Sequence, residues 1–508
     1  MSESLPPPMP QPLPQPSPGV VPETVSAGFA DGSWKRVHPL TPLIRSWQAV
    51  AIVGFFVARD LGESWLRNDR GAEAGSGIPL PGRDVSLGVW LAGGGVLVVV
   101  LVAVIGLMVL SWRMTRYRVT ADALELRRGV VFRQHRLAQL DRLQAVDVVQ
   151  PLLARIFGLA KLTVEVAGAG HSAIELSYLS EARARAVRNH LLASAAGLDY
   201  AVTGVSEAPE APEHHWLEVS PTRLLGSIAL SSATVVLVIS AIVLITVSLA
   251  TGEVAPFAAL LPAALGLGGG LWSRFSRGFG FRAAISPDGL RLRHGLLESR
   301  TQTVPPGRVQ AVRLNQPLLW RRPAWWQVEV NVAGYGGGGD ASQGKTETLL
   351  LPVGTRQEAI GVLAFVLPDL GADPDEHPHD LLEAALVGRG PGHGFVTSPR
   401  TARRLDWISW RRNGFRATRT ALLIRRGVLT RSLVVVPHAR TQSLGVTQGP
   451  LQRRWGLASF ALHSTPGPIT PVVEHLAEDV AAQLLSDQAE RARQARAAAG
   501  PERWMRRP

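Results

Sequence analysis

The chain has 508 residues, 53 Lys+Arg against 40 Asp+Glu for a net charge of +13, and no cysteine. The missing cysteines exclude a fold that depends on disulfides. The positive balance leaves nucleic acid or an anionic membrane surface as partner, and the sequence carries no helix-turn-helix pattern, zinc-ligand spacing or RNA-binding aromatic signature, which favours lipid over nucleic acid.

In chain order, residues 1–34 are proline-rich and polar and read as a disordered tail, lacking the apolar core of a cleavable signal peptide. Residues 35–61 hold a first apolar segment with its leader. It is uncharged only from 46 to 58, between Arg45 and Arg59, so spanning a bilayer requires arginines that reach out to the headgroups. Residues 62–84 read as an extracytoplasmic loop. Residues 85–112 carry no charge and exceed the roughly 20 residues that cross a bilayer. Two further runs, 224–249 and 254–273, are separated by a turn at Gly252 and Glu253. The expectation is four spans in two helical hairpins. Lys35, Arg36, Arg113, Arg116, Arg223, Arg274 and Arg277 flank the ends opposite the two outer turns. Positive charge marks the cytoplasmic side, so both termini and everything between the hairpins are expected in the cytoplasm of a multi-pass cell-membrane protein. The three clear spans hold no ionisable residue, which argues against an ion path. The glycines from Gly266 to Gly270 suit close helix packing rather than a dinucleotide.

The rest of the chain is one unit used three times. Gly129, Gly295 and Gly427 each have an arginine two residues before (Arg127, Arg293, Arg425) and another thirteen after (Arg142, Arg308, Arg440). Glutamines follow at +15 (Gln144, Gln310, Gln442) and +21 (Gln150, Gln316, Gln448), a leucine at +24 and a third arginine at +26 (Arg155, Arg321, Arg453). Ungapped spacing in three copies is internal duplication, and copies this far apart form separate small domains rather than a solenoid. In the first copy, alternation predicts a strand over 117–127, a turn at Gly129, a strand over 130–137, and further strands near 143–148, 162–166 and 173–176. Helices are predicted over 181–192, 355–366 and 471–485, the first two opened by Ser180 and Thr355. The resulting fold class is a multi-domain membrane protein with two transmembrane hairpins and three β-rich domains, each a curved antiparallel sheet or partly open barrel closed by a C-terminal helix. The domains are expected at 113–196, 274–370 and 413–485. They are joined by an acidic linker at 197–223 and a basic, tryptophan-bearing linker at 371–412, and a basic tail occupies 486–508.

The residues Leu126-Arg127-Arg128-Gly129, Arg142-Leu143-Gln144 and Gln150-Pro151-Leu152, with Arg308-Val309-Gln310, Gln316-Pro317-Leu318 and Trp325-Trp326 in the second copy, resemble the bacterial pleckstrin-homology-like domain of YdbS/YdbT-type membrane proteins. The leader His38-Pro39-Leu40-Thr41-Pro42 also resembles that family, and the third copy departs from it with Gln448-Gly449-Pro450. The resemblance implies a pleckstrin-homology-like sheet with a terminal helix. It brings no catalytic residues and no cofactor.

The candidate contacts for anionic lipid or an acidic partner are Arg142, Arg308 and Arg440, each placed with a glutamine on one strand face. The alternative is structural: each arginine holds a carboxylate or backbone carbonyls. Trp407 and Trp410, set among Arg400, Arg403, Arg404, Arg411 and Arg412, have the character of a membrane-interface segment. Residues 339–346 match the phosphate-loop pattern through Gly339, Gly344, Lys345 and Thr346, but lead into a strand rather than a helix and read as a hairpin loop. His214 and His215 lack a third ligand, and no metal site is expected. The expected function is a membrane-anchored binding or scaffold protein without chemistry of its own, in an envelope-stress or export-related assembly. Its partners would be the lipid bilayer and an unidentified protein, with self-association possible. The alternative is a small transporter or export component.

Overall fold

The structure, a computed structural model, describes residues 33–42, 44, 99, 102–103, 105–120, 123–129, 132–140, 143–166, 174–195, 214–252, 255–286, 289–304, 307–333, 349–465 and 467–498. The proline-rich tail, most of the first predicted hairpin, the phosphate-loop-like stretch and Arg142 lie outside the described residues.

Each repeat folds into two antiparallel sheets and a helix. In the first module, β1 (Lys35–Arg36) precedes helix α1 (Ile105–Met114), which leads into β2 (Arg116–Val119), β3 (Ala123–Arg128) and β4 (Gln134–Gln139). Then come β5 (Leu143–Pro151), the short helix α2 (Leu152–Ile156), β6 (Leu159–Val166), β7 (Ile174–Ser180) and α3 (Glu181–Ala195). The second module opens with β8 (His214–Glu218) and then makes an excursion through α4 (Pro221–Ala229), α5 (Ser232–Thr251) and α6 (Ala255–Gly278). It resumes with β9 (Arg282–Ser286), β10 (Gly289–His294), β11 (Glu298–Val304), β12 (Val309–Pro317), β13 (Trp325–Val332), β14 (Leu349–Thr355) and α7 (Arg356–Val366). After α8 (Pro378–Leu386), the third comprises β15 (Val396–Thr397), β16 (Gly414–Ala417), β17 (Ala421–Arg426), β18 (Thr430–Pro437), β19 (Ser443–Thr447), α9 (Pro450–Arg454), β20 (Leu457–His463), β21 (Val472–Ala477) and α10 (Glu478–Ala498).

The modules are fused through their sheets. β5 pairs antiparallel with β11, and β12 with β18, so two seven-stranded sheets each combine the last three strands of one module with the first four of the next. A buried Asn331 on β13 adds a clasp, donating to Ile469 O at 2.8 Å and accepting from Ile469 N at 3.0 Å. Apolar packing follows the sheets: Leu433 and Val435 of the third module lie in one buried cluster with Leu314, Val328 and Leu363 of the second. Each such fully buried leucine or valine contributes ~1.5–3 kcal/mol.

Several local expectations differ. The strand expected over 117–127 is a hairpin, β2 and β3, because Thr120 turns the chain: its Oγ1 donates to Ala123 O at 2.9 Å and accepts from Ala123 N at 3.1 Å. The uncharged run 224–249 is two helices. Ser231 caps α5 through Thr234 N, while α4 turns Leu224 and Ile228 into the module core. The helix expected from 471 starts at Glu478, since residues 472–477 pair with β20, and it runs on to Ala498 with Ala492 buried instead of giving way to a free basic tail. Residues 214–218, expected within a linker, are an edge strand of the second module. The helix expected at 355 opens as read, with Thr355 and Glu358 forming a reciprocal capping box.

Among the described residues, α5 alone is long and apolar enough to cross a membrane, with a mean hydropathy of 2.7 over its window and no buried side chain. Twenty residues at ~1.5 Å each match the ~30 Å hydrocarbon core. Its partner α6 is 24 residues long and joins it through Gly252 in the left-handed conformation.

Candidate anion-binding site

The glycine turns set the geometry around the joints. Gly129, Gly295 and Gly427 have φ of 114°, 112° and 75°, and a Cβ would collide with the carbonyl oxygen three residues on in every copy: Phe132, Glu298 and Thr430. The repeat is a requirement for glycine at a tight strand connection. In the second module this turn also holds the membrane-type helix. Gly295 N donates to Phe279 O, just beyond α6, at 2.8 Å, and Leu296 N donates to Ser276 O at 2.8 Å. His294 Nδ1 contacts Arg277 O at 2.9 Å. Burial pushes His294 down to about 4, which keeps the ring neutral and the Nδ1 proton on the carbonyl.

The arginines that precede the glycines diverge in use. Arg127 stacks over Trp34, 4.3 Å from the ring centre. Arg425 is buried and donates to Arg412 O, Ala384 O and Gly390 O, with its guanidinium 4.1 Å from the centre of the Phe395 ring. Arg293 instead enters a cavity of about 340 Å³ at the joint of the first two modules.

Five guanidiniums line that cavity. Arg185 and Arg188 come from one face of α3, Arg282 from β9, and Arg291 and Arg293 from alternate positions of β10. Arg188 is buried and donates to Thr303 Oγ1 at 2.6 Å, tying α3 of the first module to β11 of the second. Gln150, the +21 glutamine, adds a buried amide nitrogen without a hydrogen-bond partner among the described residues. Glu181 also lines the cavity and pairs with Arg185, and Glu218 pairs with Arg282 from outside it. Guanidiniums and an amide N–H converging on one small space form a donor set for a phosphate or carboxylate group.

The second joint uses a comparable arginine cluster differently. Burial pulls Arg412 down to about 9, with Arg425, Arg431, Arg321 and Arg389 adding to the effect. Its donors go to Gly388 O, Ala385 O and Leu386 O at the carboxyl end of α8, where positive charge is favourable. Backbone carbonyls occupy the Arg412, Arg425 and Arg321 guanidiniums, so the joint is a structural weld.

Arg440 lies on a 3-10 turn rather than a strand and donates to Gly307 O, back across the second joint. Arg308 stands half-buried immediately before β12. The +15 glutamines Gln144 and Gln310 fall at a β-bulge in β5 and β12, where the register skips one residue. Trp407 is 76% exposed, while Trp410 is half-buried with the Arg411 guanidinium 5.3 Å from its ring centre. The structure therefore joins Arg440 to the backbone beside Arg308 but brings neither tryptophan to the arginine-lined cavity. That cavity was missed in the sequence, although the alternation Arg291-x-Arg293 and the spacing Arg185-x-x-Arg188 each signal a one-sided basic face. Among the described residues no cluster of three or more His, Asp or Glu side chains has metal-binding geometry.

The bacterial PH domain family matches residues 77–195, 224–359 and 381–492, one match per module. A curated relative, the UPF0699 transmembrane protein YdbT of Bacillus subtilis (strain 168), is 25% identical over 305 residues, which is 54% of this chain. The match spans 60% of that relative's length. No solved structure matches the chain.

Proposed function

The chain belongs to the bacterial PH domain family, and from that premise we propose that it is a membrane-anchored binding or scaffold protein whose three modules act as one unit against an anionic bilayer. The reading rests chiefly on the arginine-lined cavity at the first joint, which suits the phosphate of a lipid headgroup. It is also supported by the way the apolar hairpin is mounted. α5 and α6 emerge between the first two strands of the second module and return into β9, so lipid held by the hairpin keeps the module at the membrane surface. The basic residues at the inner ends of α4 and α6 favour the cytoplasmic side, and the first apolar segments would complete a second hairpin.

The third module supports the same orientation. Between its first two strands, β15 and β16, where the second module inserts its hairpin, stands the segment of Trp407 and Trp410. We assign it to the headgroup interface, with the exposed Trp407 as the anchor. Arg308 and Arg440 belong to the joint rather than to the lipid in this reading.

The test is calorimetric titration of the full-length protein in neutral detergent with dihexanoyl phosphatidylglycerol, alongside dihexanoyl phosphatidylcholine. Replacing Arg185 and Arg293 together by alanine removes two charge-assisted contacts worth ~1.5–3 kcal/mol each and should weaken binding by about 100-fold or more. Unchanged affinity in the double variant would refute the cavity as the headgroup site.

A further inference from the structure

The two joints inside the chain obey one rule, and among the described residues the first and third modules each keep one half of that joint at a sheet edge. Counting from the repeat glycine, position +3 opposes +22 and +4 opposes +21 in both joints: Glu298 with Pro151 and Ser299 with Gln150, then Thr430 with Pro317 and Arg431 with Gln316. The strand equivalent to β11 and β18 is β4 in the first module, and the strand equivalent to β5 and β12 is β19 in the third. Among the described residues each of these is the last strand of its sheet. β4 and β19 are therefore the two unmatched halves of a surface the protein has already used twice.

The side chains on the two edges match as the internal joints do. Arg431 donates to Gln316 at 3.4 Å across the second joint, and the same offsets place Arg133 opposite Gln448, whose amide already binds Glu478. Position +8 and the residue seven places into the closing helix lie on the same side of each joint. At the first joint these are Thr303 and Arg188, which hydrogen-bond, and at the second Val435 and Leu363, which share one apolar cluster. At the open edges they are Leu137 and Leu485. Leu137 is 55% exposed while its neighbour Ala138 is fully buried, as expected for a strand whose outer face is built to be covered.

We propose that β4 of one copy pairs antiparallel with β19 of another, assembling the chain head to tail with Gln134 opposite Thr447, Arg136 opposite Gly445 and Leu137 opposite Leu444. Backbone donors and acceptors on both edges supply the affinity, and the Arg133–Gln448 and Leu137–Leu485 contacts fix the register. A heterologous contact of this kind closes a ring or runs as an open array. Hairpins seated in one bilayer would confine either form to the membrane plane.

The cysteine-free chain allows a direct test. Full-length Gln134→Cys and Thr447→Cys variants are purified in detergent and oxidised separately, mixed, and mixed in the presence of Leu137→Asp on the Gln134→Cys chain. Opposed residues in an antiparallel pair bring their Cα atoms ~4.5–5.5 Å apart, within disulfide reach, whereas Leu444→Cys in place of Thr447→Cys moves the thiol about 10 Å along the strand. Disulfide-linked dimers in the mixture alone support the proposal when they are lost with Leu444→Cys and fall about tenfold or more with Leu137→Asp. Dimers from a single variant would indicate like-with-like pairing and overturn it. So would a chain that stays monomeric and uncrosslinked at tens of micromolar, or cross-linking in native membranes only to a different protein.

Discussion

Gly295→Ala isolates the demand that the fold places on its repeat turn. At φ of 112° an L-residue is strained by ~1–3 kcal/mol, and the added methyl would lie against Glu298 O and 2.9 Å from its carbonyl carbon. Relieving that contact opens the β10–β11 connection, an overpacking cost of ~1–3 kcal/mol, for a total of about 4 kcal/mol. The same movement displaces the Gly295 and Leu296 amides from the carbonyls ending α6, so the module loosens from its membrane-type hairpin. Gly158→Ala is the control. Gly158 also has positive φ, 62°, but a Cβ there meets nothing within 4 Å, leaving only a left-handed cost of ~1 kcal/mol. Thermal unfolding of the full-length protein in detergent, followed by tryptophan fluorescence, should place Gly295→Ala roughly 4 °C below wild type and Gly158→Ala about 1 °C below when the whole chain unfolds as one unit. Equal shifts for the two variants would refute the steric argument.

Stability should also depend on pH through His294. An unfolded histidine titrates near 6.5 and the folded His294 near about 4, so the unfolded chain takes up the proton first as pH falls. Stability is full above the unfolded value, declines below it, and the loss, roughly 3 kcal/mol, is complete below the folded value. His294→Asn keeps a donor for Arg277 O without titrating. The difference in melting temperature between wild type and variant should therefore change across that interval, and parallel pH profiles would count against a buried neutral ring. For the interface segment, Trp407→Cys labelled with an environment-sensitive dye should show blue-shifted emission in proteoliposomes relative to detergent-free water-exposed sites. Emission like that of a label at Arg185→Cys after full exposure in denaturant would remove Trp407 from the bilayer surface.

The sequence made the module legible because its glycine frame records local backbone geometry, and Gly129, Gly295 and Gly427 take the turn conformation their spacing implied. Strand existence and the Thr355 helix start were equally local signals. The excursion at 224–249 was only half legible. Hydropathy averages over a window and cannot distinguish lipid from a protein core, so α4, which buries Leu224 and Ile228 against the second module, read as the start of a span. The joints were illegible for a stronger reason. A strand paired on both sides and a strand at an edge have the same alternation, and which partner lies alongside is a long-range fact. Val312 opposite Val435 leaves no mark in either segment alone.

The second joint also gives the arginine at +13 of the third module a role. In the second and third modules position +13 sits in the connection leading from the first sheet to β12 or β19. Arg440 spans that seam to the carbonyl of Gly307, the residue at +12 in the preceding copy. A residue placed at a seam takes its contacts from what lies across from it, here a backbone carbonyl of the preceding module. The same reasoning applies to position −2, where Arg425 is consumed by three carbonyls and Arg293 faces open space. One duplicated scaffold thus yields a closed weld at one joint and an arginine-lined cavity at the other. Exchanging the local partners of Arg293, rather than the arginine itself, is the change that would convert one into the other.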